Sequence, residues 1–198
     1  DSKRWYRYHQ LFQQLLEHRL RETHTIEEIA QLYRRAGMWC AGQNLVDEAV
    51  AYALAAGDVD QAVRIVESNR HSAIYEESWQ RLESWLDLMQ RRDINAYPEL
   101  LLLEAWILHK RERLDEIPAR LDLAEVLLDE GNRTPESAAH MRGEIAALRS
   151  QQYFLRGDAA QTRTTARQAL ALAPPTRSYV RGAAWFFLAL GCSMTAGL

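Results

Sequence analysis

Apolar residues recur along this chain at intervals of three and four, and the alternation of a half-buried strand is nowhere sustained. Tyr8, Leu11, Phe12, Leu15, Leu16 and Leu20 form one such stripe, which predicts a helix from about Tyr8 to Glu22 behind an extended lead-in. Thr25 with Glu28 three residues on reads as a capping box opening a second helix over 26–41, with Ile29, Leu32, Tyr33, Ala36, Trp39 and Cys40 on its apolar side. An Ala-rich helix over 46–55 stops at Gly57, and Asp58 caps the next, which is predicted to end near Asn69. Further stripes predict helices over 72–89, from Pro98 to Lys110, over 115–129, from about Glu136 to Leu155, over 159–172 and over 178–194. Residues 91–97 read as a polar turn, and Pro98 stands at a first helical turn, where its missing N–H costs nothing.

A pattern repeats within this series. Helix, Gly-Asp corner, helix occurs at Gly57-Asp58 and again at Gly157-Asp158, with 111–113 as the equivalent corner between them and Gly197 as the start of another. The best-formed unit runs over residues 143–176. In it Tyr153, Gly157, Ala166, Ala169 and Pro174 occupy the positions a tetratricopeptide-like unit requires, with Ser150 at the close helix crossing. Thr162 stands where that pattern prefers Ala, and the corners are unevenly spaced. The predicted fold is therefore all-α: antiparallel helical hairpins stacked as an irregular, tetratricopeptide-like right-handed superhelix. A non-repeating helix bundle is the alternative. Each hairpin buries one face against its own partner and needs a neighbour for the other, so the stack is the unit of stability.

Composition narrows the function. With 47% apolar and 26% charged residues the chain is globular, and with 24 basic against 27 acidic residues its net charge of −3 does not favour nucleic acid. Two cysteines, Cys40 and Cys192, cannot make a dense disulfide scaffold; they read as reduced core thiols, with a single bridge as the alternative. No run of 18 apolar residues is present, so no membrane span is expected. There is no GxxxxGK[ST] or GxGxxG loop, no HExxH and no local His/Cys cluster, so no catalytic residue, cofactor or metal is assigned. Adjacent acids such as Glu76-Glu77 diverge by about 100° on a helix and make no carboxylate clamp. Lys3, Arg4 and Arg7 interleaved with Trp5, Tyr6 and Tyr8 resemble a single-strand binding patch, but acidic residues follow closely and the aromatics read as packing on the first helix.

Six tryptophans are spread over separate segments, and most are expected in the core. With Tyr153 packed inward, Ala147, Gln151 and Phe154 are expected to look toward the hollow face of the stack. There an exposed Phe154 would mark a binding surface and a buried one only a core residue. The last helix is expected to show an apolar face that favours self-association.

The phrase Trp5-Tyr6-Arg7-Tyr8-His9-Gln10-Leu11-Phe12, with Leu15-Leu16 and Arg19-Leu20 after it, resembles the segment that follows the ATPase module in large ATP-dependent transcriptional regulators of the LuxR type. Residues 29–39, the run 48–58 and the segment Pro98-Glu99-Leu100 to Ala105-Trp106 resemble later parts of the same pattern. The resemblance implies that residues 1–24 close a winged-helix-like arm, with Trp5, Tyr8 and Phe12 structural, and that residues 25–198 begin a tetratricopeptide-like superhelix. It implies a non-catalytic cytoplasmic sensor and oligomerisation region that binds a small-molecule inducer or a regulatory protein. ATP and DNA would be bound by domains before and after it, without direct nucleic-acid contact here. A helical-repeat adaptor that binds only proteins or peptides is the rival expectation.

Overall fold

Helix-forming periodicity is realised across the described residues. A computed structural model describes residues 10–194, and among them eleven helices and no strand occur. In chain order these are α1 (Gln10–Thr23), α2 (Ile26–Gly42), α3 (Val46–Ala55), α4 (Val59–Tyr75), α5 (Trp79–Asp87), α6 (Arg91–Ile94), α7 (Pro98–Lys110), α8 (Ile117–Glu130), α9 (Pro135–Leu155), α10 (Ala159–Leu172) and α11 (Ser178–Ser193). Trp5, Tyr8, the basic-aromatic patch and the Gly197 corner lie outside the described residues. The fold is all-α, and its neighbouring helices pack as stacked hairpins of the tetratricopeptide-like kind. The chain forms two compact units, residues 1–62 and 63–198.

The hairpin corners share one backbone solution. Asn44, Gly57, Glu77, Glu112 and Gly157 have φ between 55° and 76°. The residue after each donates its N–H to the carbonyl five positions back: Leu45 to Cys40 at 2.9 Å, Asp58 to Ala53 at 2.9 Å, Ser78 to Ala73 at 2.9 Å, Arg113 to Leu108 at 3.0 Å and Asp158 to Tyr153 at 2.9 Å. These are Schellman closures, which satisfy the last carbonyls of one helix while the chain turns. Gly57 and Gly157 adopt this left-handed conformation without a Cβ penalty. Asp58 and Asp158 then accept from the N–H groups of Gln61 and Gln161, both at 2.9 Å, so one dipeptide ends a helix and starts the next. The Thr25–Glu28 capping box is also present.

The corner at Glu77 corrects the predicted helix over 72–89. α4 runs on to Tyr75, and a separate α5 begins at Trp79. Ile74, Tyr75, Trp79 and Leu82 keep helical spacing across the break, so periodicity alone hides it, and no glycine marks it. Residues 91–94, read as a turn, close into the single helical turn α6, which buries Ile94.

In the first unit α2 and α3 form an antiparallel pair. A Cβ on Gly37 would lie 3.4 Å from the Tyr52 Cβ, Tyr33 and Tyr52 rings stack at 5.9 Å, and Cys40 is buried. In the second unit α7 is buried around its whole circumference, Leu100 to Leu103 and Ala105 to Leu108 alike, because α5, α8 and α9 all pack on it. Each large apolar side chain among them contributes about 1.5–3 kcal/mol, which outweighs any difference in helix propensity. α9 and α10 cross through small residues: Ser150, Thr162, Ala166 and Ala169 are fully buried. Ala173 ends α10 by donating to the Ala169 carbonyl at 2.8 Å, and Pro174 prevents continuation.

One side-chain expectation is corrected. Cys192 is exposed, because the buried stripe of α11 is Val180, Ala184, Phe187 and Gly191, and the next residue points about 100° away. Trp79, Trp85 and Trp106 are core residues, but Trp39 is 52% and Trp185 56% exposed.

Candidate functional site

The second unit carries a charged centre that periodicity did not disclose. Arg70 on α4 is fully buried. Its two terminal nitrogens donate to the two carboxylate oxygens of Glu144 on α9, both at 2.8 Å, and its Nε donates to Glu67 one turn earlier on α4. Trp106 on α7 donates its indole N–H to Glu144 Oε2 at 3.1 Å. His71 Nε2 lies 3.4 Å from Glu144 Oε1 and 3.7 Å from Glu67 Oε1, and Arg177, the residue before α11, reaches Glu67 at 3.5 Å. Three helices and the α10–α11 connection are thus joined through one carboxylate–guanidinium cluster. Such a cluster persists in a low-dielectric interior only when charges and hydrogen bonds are matched together.

Its electrostatics follow from this geometry. Burial opposes the charge of Glu144, but Arg70 and His71 outweigh it and hold the carboxyl below its ordinary range. Glu67 is likewise depressed, burial being overcome by Arg70 and by the bond to His71. Burial, helped by the Arg70 charge, pushes the His71 imidazole below its ordinary value and favours the neutral ring.

A groove adjoins this centre and shares His71 and Arg177 with it. One part, of about 540 Å³, is walled by Tyr75, His109, Gln151, Tyr179, Gly182 and Phe186. A second part, of about 360 Å³, adjoins it through Tyr75, Ser178 and Tyr179 and is walled by Ser68, His71 and Arg177. Volumes of this order suit a small organic ligand. Tyr179 forms the floor between them, edge-on to Trp106 at 5.1 Å and to Trp79 at 5.9 Å. His109 Nδ1 lies 2.7 Å from Gln151 Oε1, a contact made when that nitrogen carries the proton, which leaves Nε2 an acceptor. Burial lowers the His109 pKa, which keeps this neutral form.

The residues expected at the hollow face separate here. Gln151 lines the groove. Phe154 is half-buried, its ring 5.9 Å from Phe187, and so stands beside the groove as packing. Ala147 does not face outward: it is 1% exposed, since the tight crossing covers this stretch of α9 from more than one side. Tyr153 is half-buried, Ala169 is core, and Gly157 makes its corner. Phe12 is 45% exposed on α1. Sequence reasoning missed Tyr75, His71, Arg177, Tyr179 and Phe186. One signal was available: Tyr179, Gly182 and Phe186 sit at i, i+3 and i+7, a second stripe on α11 beside its buried one. Among the described residues no group of three or more His, Cys, Asp or Glu is placed to hold a metal, and no helix is long and apolar enough to cross a membrane.

No protein-family model matches the chain, and no solved structure does. Among curated proteins it is similar to the HTH-type transcriptional regulator MalT of Klebsiella pneumoniae strain 342, at 28% identity over 181 residues. The MalT regulators of Cronobacter sakazakii and of Yersinia pestis strain Pestoides F are 30% and 29% identical over the same length. Each match covers 91% of this chain but only 19–20% of the relative, so the chain spans about a fifth of the length of the regulators it matches. An all-helical region with distant homology to MalT-type HTH regulators is what these similarities and the fold establish together.

Proposed function

We propose that this chain is the sensor region of a LuxR-type, MalT-like cytoplasmic transcriptional regulator and that the groove over Tyr179 receives its inducer. The region acts without catalysis. A ligand changes the regulator's state by binding one arrangement of the hairpins better than another, which in turn alters self-association. ATP and DNA are handled by other domains of the regulator, a reading that its HTH-type relatives support for DNA. The observation that carries the reading is the groove itself. Its aromatic, amide and imidazole groups adjoin, through His71 and Arg177, a buried cluster that ties α4, α7, α9 and the start of α11 together. A ligand that shifts Tyr179 acts on every helix in that cluster.

Calorimetric titration of the chain with sugars, aromatic compounds and nucleotides tests this. Saturable binding of one class, lost in Gln151→Ala together with Phe186→Ala, is the expected result. Binding of peptides alone would replace the sensor by a helical-repeat adaptor.

A further inference from the structure

The two parts of the groove differ in chemistry, and the difference selects a ligand. The larger part is apolar beyond His109 and Gln151, with Gly182, Ala183, Phe186 and Phe187 along its wall. The smaller is polar and carries Ser68, Ser72, His71, Thr176 and Arg177. They meet at Tyr75, Ser178 and Tyr179, so one molecule of modest length lies in both.

Arg177 is the distinctive group of the polar end. Its side chain is 26% exposed, and its sole ion-pair contact among the described residues is the 3.5 Å approach to Glu67, whose carboxylate Arg70 already engages. A guanidinium has five N–H donors in a planar fork that fits a carboxylate, and that of Arg177, held on one side by Glu67, lines the polar end of the groove. Arg177 also stands at the N-cap of α11 and offers no side-chain cap, and Ser178 and Tyr179 of that 16-residue helix's first turn line the same cavity. Glu76, which is exposed, lines this end as well and repels an anion, so the anion seats on Arg177. At the apolar end, a Cβ on Gly182 would meet no atom within 4 Å. The helix surface there is a bare shelf between Tyr179 and Phe186 on which a flat or extended group can lie.

The geometry points to a small amphipathic carboxylic acid as the ligand, its carboxylate on Arg177 and its aromatic or aliphatic body along Tyr179, Gly182 and Phe186. This rests on the groove being the sensor site. A simple probe is 4-phenylbutyrate compared with 4-phenylbutyramide, which has the same body without the charge, both titrated into the whole chain. The acid binds more tightly by on the order of tenfold, the worth of a charge-assisted hydrogen bond. Arg177→Gln brings the acid to the level of the amide and leaves the amide unchanged. Gly182→Leu, whose Cβ meets no atom within 4 Å, fills the shelf and abolishes binding of both. Equal affinity for acid and amide, an acid preference that survives Arg177→Gln, or no binding of either probe overturns the assignment. In the first two cases loss of binding in Gly182→Leu still leaves the groove as the ligand site. Failure of the sensor reading is distinct: there no class in the broader panel of sugars, aromatic compounds and nucleotides binds at all.

Discussion

Helix α9 meets its neighbours in two opposite ways. Toward α10 it offers small residues: Ser150 is fully buried, and a Cβ at Gly143 would come within 2.9 Å of the Ala173 backbone nitrogen. Toward α4 and α7 it offers the carboxylate of Glu144, clamped by Arg70 and Trp106. The first contact is held by close approach and dispersion; the second by matched charge where water is excluded. The small-residue face can be crossed by any helix of suitable shape. The charged face accepts only a partner that brings a guanidinium to one place, so it fixes which helices become neighbours and in what register.

The largest effect is expected on the charged face. Glu144→Gln strands Arg70 without its bidentate partner and should destabilise the chain by about 3–5 kcal/mol in chemical denaturation. Arg70→Met combined with Glu144→Leu should recover most of that loss. A double variant as unstable as the single one would show that the pair is more than a matched desolvation. On the other face Gly143→Leu forces α10 away and should cost about 1–3 kcal/mol; no loss would mean that the crossing is looser than the structure shows.

Acid separates the two faces further. His71 and His109 have pKa values lowered from 6.5 by burial, so the unfolded chain binds their protons first. Their contribution is complete above about pH 6.5 and is lost as the pH falls below it. Glu144 and Glu67 have pKa values lowered from 4.5, burial being outweighed by Arg70, so a second loss sets in below about pH 4.5. Denaturation midpoints measured from pH 8 to pH 3 should fall in these two stages. Gly143→Leu should keep both stages, and Glu144→Gln should blunt the lower one. The smallest effect concerns the corners that close α7 and α9. Glu112 has φ 59° where Gly157 has φ 76°. Glu112→Gly should therefore stabilise by up to about 1 kcal/mol and Gly157→Ala destabilise by about 1–2 kcal/mol, read as shifts in thermal midpoint.

These corners show how far the sequence could be read. Gly57-Asp58 and Gly157-Asp158 announced their turns because each residue has its own local reason to be there. Glu77 makes the same turn with no such mark, so the pattern predicts a helix straight through residues 76–78. The groove was legible in one residue, Gln151. Ala147, three residues short of Ser150 on the same helix, was misplaced because periodicity gives one buried face whereas α9 is covered on more than one.

The chain by itself determined that it would be helical, where most helices begin and end, and that small residues would let α9 and α10 approach closely. Those properties depend on neighbours within a few turns, and a linear pattern records them. That Arg70 finds Glu144, 74 positions later, and that Tyr179 comes to lie on Trp106 and Trp79, was decided only by tertiary packing. A buried charge reads in sequence like any solvated one. What distinguishes it is the distant partner that makes its burial affordable, and spacing along the chain carries no trace of that partner.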